Sequence, residues 1–122
     1  MPKIGSYMNK KQKGKQGENM AVAHLQAQGY QIINRNYKPQ GAEIDIIAQK
    51  AGIMVFVEVR SRKNNDFGYP EESVNVAKQE RIKRTAEHFI AAQDWQGDIR
   101  FDIIAITWSD PPELMHFEDA FY

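Results

Sequence analysis

The chain of 122 residues is sized for one domain with one core, burying roughly two-thirds of the surface that its unfolded form exposes. Apolar content is 42%, no apolar run nears the ~20 residues that span a bilayer, and no secretory leader pattern opens the chain, so a cytoplasmic protein without a membrane partner is expected. Zero cysteines exclude a disulfide framework, a thiol nucleophile and thiolate-bound zinc, and a formal net charge of zero excludes a protein that coats DNA by bulk charge alone.

The neutral total hides an asymmetry. Lys3, Lys10, Lys11, Lys13 and Lys15 all precede the first acid, Glu18, while the tail beyond Asp110 carries Glu113, Glu118 and Asp119 and no Lys or Arg. Residues 1–13 read as a flexible basic arm, since "NKKQKGKQG" has no apolar residue, leading into a single domain over 14–122. Such an arm suits nucleic acid, or is a solvated terminus. From Gly17 to Gln28 the spacing predicts a helix, with Glu18, Ala21, Val22 and Leu25 on one face and Gly29 as a left-handed cap. "YQIINRNY" predicts a strand broken by "KPQG". Residues 41–62, "GAEIDIIAQKAGIMVFVEVRSR", predict a hairpin turning in "AQKAG". "KNNDFGYPEES" reads as a loop. A second helix is expected from a cap at Ser73 or Asn75 to about Asp94, with Ile82, Thr85, Ala86 and Phe89 as its apolar stripe. "IRFDIIAITW" is the next strand, "SDPPE" a turn, and "LMHFEDAFY" holds a short edge strand. The fold class is α/β, a mixed β-sheet flanked by helices in the order α-β-β-β-α-β(-β).

Strand alternation sorts the hairpin's charges. Glu43, Asp45 and Ile47 share one face, and Ile44 and Ile46 take the other. In the second strand Ile53, Val55, Val57 and Val59 face one way, and Met54, Phe56, Glu58, Arg60 and Arg62 the other. A turn near Lys50 brings Asp45 beside Phe56 or Glu58, depending on register. Glu18 adds a third acid from the packing face of the first helix. Buried carboxylates cost several kcal/mol unless paired or metal-bound. Two arrangements meet that cost. Arg60 or Arg62 pairs with the acids, or a divalent cation gathers Glu18, Asp45 and Glu58 as hard oxygen ligands. Spacing leaves both open.

The wording of the motifs adds a resemblance. "GxxGExxAxxxLxxxGYxIIxRNY", "GAEIDIIA", "VFVEVRSR", "FGYPEESV", "RFDIIAI" and "HFEDAF" follow in this order from Gly14 onward, and together they resemble the YraN-like (UPF0102) family of small bacterial proteins. That family is similar to the PD-(D/E)xK nucleases, relatives of restriction endonucleases and archaeal Holliday-junction resolvases. The resemblance implies a restriction-endonuclease-like fold. It also implies hydrolysis of phosphodiester bonds in nucleic acid, DNA and branched DNA included, with Mg²⁺ or Mn²⁺ held by Glu18, Asp45 and Glu58. Arg60 takes the place of the lysine of the ExK motif. Related resolvases act as homodimers.

Arginine at that position keeps the charge and can grip a phosphate, but stays protonated and cannot serve as a base. Lys78 continues the inward stripe of the second helix and is the candidate stand-in, or else it reaches solvent. Lys63 is in the wrong phase of the strand. Lys11, Lys13, Lys15 and Arg62 are the candidates for holding flanking backbone. Glu43 supports the acids or is an exposed charge at a strand end, and Arg100 with Asp102 is expected as a salt bridge at the sheet's edge. His24, His88 and His116 lack any spacing for a zinc site, and Phe67 and Tyr69 either stack on a base or anchor their loop. The rival reading is a nuclease-fold module that binds nucleic acid without cutting it.

Overall fold

The structure, a computed structural model, describes residues 8–62 and 74–122. The elements run α1 (Lys10–Ala27), β1 (Gln31–Tyr37), β2 (Ile44–Lys50), β3 (Ile53–Arg62), α2 (Val76–Gln93), β4 (Asp98–Thr107) and β5 (Glu113–Phe117), the expected order. The sheet has five strands in the order β1-β2-β3-β4-β5. Three neighbouring pairs are antiparallel and β3–β4 is parallel. A parallel pair needs a crossover, and α2 supplies it. The loop expected over 63–73, with Lys63, Phe67, Tyr69 and Ser73, lies outside the described residues.

The hairpin turns through Ala51 (φ 51°) and Gly52 (φ 79°), both left-handed, between the paired Lys50 and Ile53. Two left-handed residues make the tight turn whose twist matches that of the flanking strands. The register this sets pairs Ile47 with Phe56 and Ile46 with Val57. Extending it by one step places Asp45 opposite Glu58.

Alternation then divides the core. Val55, Val57, Ile104 and Ile106 pack under Ala21 and Leu25 of α1. Met54, Phe56, Phe101 and Ile103 pack under Ile82, Ala86 and Phe89 of α2. Phe56 meets Phe89 edge-on at 6.0 Å and stacks on Phe101 at 5.5 Å. Ile44 departs from the expected pattern. It joins the α2-side cluster, whereas Ile46 faces α1. The break falls at Asp45, where pairing with β3 has stopped.

The first helix corrects the expected arm boundary. It begins at Lys10, not Gly17, so Lys10, Lys11, Lys13 and Lys15 ride on its first turns. Its start is a capping box: Asn9 accepts from the Gln12 N–H at 2.8 Å, and the Gln12 side chain accepts from the Asn9 N–H at 2.9 Å. Apolar periodicity misses this segment because the segment has no apolar face. At the other end Gly29 (φ 90°) closes the helix as expected. Its N–H and that of Tyr30 donate back to Gln26 and Leu25 at 3.0 and 2.9 Å, a Schellman motif. α2 is capped by Asn75, whose side chain accepts from the Lys78 N–H at 2.8 Å.

Gly14 lies inside α1 with open space where a Cβ would stand. Gly14→Ala is therefore expected to raise stability by about 0.5–1 kcal/mol, and Gly14→Pro to lower it by about 3 kcal/mol. Urea denaturation reads both. Two variants indistinguishable from the parent would show that residue 14 is not held in a helix.

Candidate active site

The ladder between β2 and β3 ends at Ile46 and Val57. One residue further, the Val59 N–H donates to the Asp45 carboxyl at 2.7 Å instead of to a strand carbonyl. The side chain of Asp45 is thereby fixed between the parting strands, in contact with the carboxyl of Glu58. Glu58 is only 7% exposed.

Two further acids reach the same point. One oxygen each from Glu18, Glu43 and Asp45 lies within 4.8 Å of the others. Glu18 is placed by α1, on the turn before the buried Ala21, and Glu43 stands immediately before β2. Asn36 ties them, its amide donating to both oxygens of Glu18 at 3.0 and 3.2 Å and to Glu43 at 3.0 Å. Asn36 sits at φ 54°, a left-handed conformation that Asn tolerates better than most residues. Arg35 approaches Glu18 at 3.7 Å and is anchored by Asn19 at 2.8 Å.

From the other face, Lys78 in the first turn of α2 brings its Nζ to 2.8 Å from Glu58 Oε2. The two are an ion pair by distance, but the ammonium is not aligned for a hydrogen bond, so this buried oxygen has no hydrogen-bond partner among the described residues. Of the two roles open to Lys78, the structure selects the inward one.

Like charges packed this closely resist full ionisation. Burial, the hydrogen bond and charge of Glu58 and the charge of Glu18 push Asp45 up to about 9, against the opposing pull of the Val59 N–H. Asp45 is thereby held protonated well above the usual carboxylate range. Carboxylate oxygens converging from three elements are the kind of donor set that hard divalent cations such as Mg²⁺ and Mn²⁺ take.

The sequence candidates fall into two groups. Glu18, Asp45, Glu58 and Lys78 come together here, joined by Glu43, which sequence reasoning left between two roles, and by Asn36, which it missed. The signal for Asn36 is an Asn inside an otherwise regular strand pattern. Arg60 and Arg62 instead line a neighbouring cleft of about 790 Å³ together with Lys10, Lys13, Gly14 and Trp108. Arg62 Nε and Trp108 Nε1 are buried there without a hydrogen-bond partner among the described residues, an arrangement that costs about 1–3 kcal/mol per group. Lys11 and Lys15, on the same helix, are exposed and do not line that cleft.

A second polar network lies away from the acids. Arg100 clamps both oxygens of Asp102 at 2.8 Å, His116 Nε2 lies 2.7 Å from Asp102, and His116 Nδ1 lies 3.1 Å from His24 Nε2. The expected salt bridge between Arg100 and Asp102 exists, but on the next-to-last strand with Asp102 wholly buried, not at the sheet's edge. Burial acts to raise the Asp102 pKa, and the hydrogen bonds of His116, Arg100 and the Asp119 N–H outweigh it and hold the carboxyl below its usual range. His88 accepts or donates at 2.7 Å to the Tyr37 hydroxyl.

Fold and site together define a class: a small α/β protein with carboxylates gathered where two central strands part. The sequence profile described as "Uncharacterised protein family UPF0102" matches residues 17–106. UPF0102 proteins of Dictyoglomus turgidum and Cytophaga hutchinsonii are 46% and 47% identical to it, over 91% and 89% of this chain and 95% of each relative. A UPF0102 protein of Flavobacterium psychrophilum is 45% identical over 89% of this chain and 92% of its own. The chain belongs to the UPF0102 family.

Asp45→Asn keeps an oxygen for the Val59 N–H and offers an amide to Glu58 without a titrating proton. Because the folded-state pKa of Asp45 lies above the unfolded value of 3.8, the stability its proton confers is complete below about pH 4 and is lost as the pH climbs toward 9. The metal-free variant should thus gain progressively on the parent as the pH rises from about 5 to about 9. Urea denaturation at several pH values measures it, and a pH-independent difference would show that Asp45 carries no such proton.

Proposed function

We propose that the protein is a metal-dependent nuclease of the PD-(D/E)xK type, hydrolysing phosphodiester bonds in nucleic acid, DNA in the first instance. The observation that carries this reading is the ammonium of Lys78 at 2.8 Å from Glu58. It restores a lysine beside the acid of the ExK motif although Arg60 occupies the motif's own third position. Glu18, Glu43, Asp45 and Glu58 are the residues that would hold the cation. When bound, the cation supplies Lewis acidity toward a phosphoryl oxygen and lowers the pKa of a bound water.

The remaining roles belong to the chain. Lys78, paired with Glu58, orients a water in the site and places a positive charge where negative charge accumulates on phosphorus-bound oxygen. Arg60 is permanently charged and binds phosphate rather than moving a proton. Asn36 fixes the rotamers of Glu18 and Glu43. Asp45, held by the Val59 N–H, would have to be deprotonated to serve as a ligand.

One observation favours the binding module that does not cut. Asn36 and Lys78 satisfy three of the four acids without any metal. Cleavage of single-stranded, duplex and branched DNA with Mg²⁺ or Mn²⁺ separates the two. Asp45→Ala and Glu58→Ala are expected to lower cleavage by about 10²–10³-fold or more, and Lys78→Ala by a comparable factor. Arg60→Lys is expected to stay within about tenfold of the parent. A parent that binds DNA but never cuts, joined by an Arg60→Lys variant that does cut, would establish the lapsed enzyme. Mn²⁺ should raise the melting temperature of the parent and leave Asp45→Ala unchanged, which tests the cation site apart from turnover.

A further inference from the structure

The cleft beside the acids has a chemistry of its own. Lys10 and Lys13 line it from the first turns of α1, Arg60 and Arg62 from the end of β3, and Trp108 from the residue after β4. α1 has no acidic residue in its first turn. Four lysines at the positive end of a helix macrodipole work against that dipole, so helix stability does not explain their placement. An anion does, because the helix N-terminus and the lysines then act in the same direction. A second observation points the same way: Arg62 Nε and Trp108 Nε1, buried in the cleft's wall, are donors without acceptors among the described residues.

Size narrows the ligand. A volume of about 790 Å³ equals a cube roughly 9 Å on a side, within the range of ligand pockets. B-DNA, whose major groove alone is about 12 Å wide, does not enter such a space, whereas one strand does. Continuity with the acids fixes where that strand leads. Gly14 of the cleft is one helical turn before Glu18, and Arg60 is two residues beyond Glu58. Cations along a groove with an aromatic side chain are the usual means of holding a single strand irrespective of its sequence.

We propose that this cleft binds a single-stranded segment of nucleic acid continuous with the strand whose phosphodiester lies at the acid cluster. The segment's phosphates meet Lys10, Lys13, Arg60 and Arg62, and its oxygen acceptors reach the unpaired donors of Arg62 and Trp108 when the side chains covering them shift. The inference rests on the nuclease reading for the meaning of the acid cluster, but the cleft's binding is separable from cutting. It makes the preferred substrate one with an unpaired strand beside the scissile bond, as at a frayed end, a flap or a branch.

The test is fluorescence anisotropy with labelled oligo(dT), oligo(U) and a blunt duplex, each about eight nucleotides long, in EDTA so that no cleavage occurs. Single strands should bind more tightly than the duplex, and the two single-stranded probes separate DNA from RNA as the source. Lys10→Glu/Lys13→Glu should weaken single-strand binding at least about tenfold and flatten the slope of log K against log salt by about 1.4 or more. Acidic residues in a first turn favour a helix, so this variant should keep its fold, as circular dichroism would show. Lys11→Glu/Lys15→Glu makes the same change of charge on the same helix outside the cleft and should weaken binding far less. A duplex preference, or equal losses in the two double variants, would overturn the cleft. Single-strand binding that depends on Lys10 and Lys13, in a protein that cleaves nothing with either Mg²⁺ or Mn²⁺, would keep the cleft and retire the nuclease. Cleavage of branched DNA indifferent to Lys10→Glu/Lys13→Glu would retire the cleft alone.

Discussion

Four carboxylates converge where β2 and β3 part, and the rest of the site is arranged around their mutual repulsion. Two unit charges 4 Å apart repel by about 4 kcal/mol at an effective dielectric of 20, and several such pairs together approach the whole stability of a small domain. The protein offsets this in three ways. Asp45 is pushed toward its protonated form, the amide of Asn36 bridges Glu18 and Glu43, and the ammonium of Lys78 lies against Glu58. None of the three is permanent in the way a bidentate arginine clamp is. Asp102 shows the contrast. Arg100 grips both its oxygens, His116 and the Asp119 N–H complete the set, and its proton is lost at low pH. One buried acid is held ionised by fixed partners, and the other cluster is held by a proton, an amide and one ammonium.

Topology explains why Lys78, rather than a strand residue, meets Glu58. The parallel pairing of β3 with β4 forces the chain to cross over, so α2 must begin near the end at which β3 finishes. Glu58 stands close to that end, and Lys78 is in the first turn of the returning helix. Ile82, Thr85, Ala86 and Phe89 seat the helix on the sheet, and Lys78 lies one turn ahead of Ile82 on the same face. The lysine's position is therefore a consequence of the crossover and of the stripe below it. Arg60 need not fill the lysine's role, and it lines the cleft.

The parts of this arrangement legible in the sequence are those governed by short-range periodicity. Alternation in 53–62 assigned Glu58 and Arg60 to the face opposite Val57 and Val59, but it left Asp45 across from Phe56 or Glu58, a choice made only by the turn at Ala51 and Gly52. The α2 stripe was legible for the same reason. Contacts that depend on distant residues were not. His24 and His116 are 92 residues apart and meet only because β5 folds back beside α1. Asn36 acts through a left-handed backbone, which no period reveals. The start of α1 was obscured differently. "NKKQKGKQG" has the composition of a disordered segment, and the Asn9–Gln12 capping box that makes it helical is a local polar pattern rather than an apolar one.

Extending α1 back to Lys10 changes what the lysines can do. A flexible arm would bring its charges anywhere within reach, whereas a helix fixes them relative to Glu18 on the same rigid element. With a rise of about 1.5 Å per residue, Lys13 stands roughly 8 Å and Lys10 roughly 12 Å along the axis from Glu18. Successive phosphates of an extended single strand lie farther apart than the about 3.4 Å of a duplex axis, so these distances correspond to at most roughly two to four nucleotides. The helix thus sets a spacing between cation and acid on the scale of a few nucleotides. A strand held at Lys10 and Lys13 would present to the carboxylates a phosphate a short, fixed number of residues away. Net neutrality is compatible with such a protein because the cations and acids are segregated along one helix rather than absent. What matters to a polyanion is that local gradient, positive in the cleft and negative at the acids until a cation enters, and the total charge of zero does not describe it.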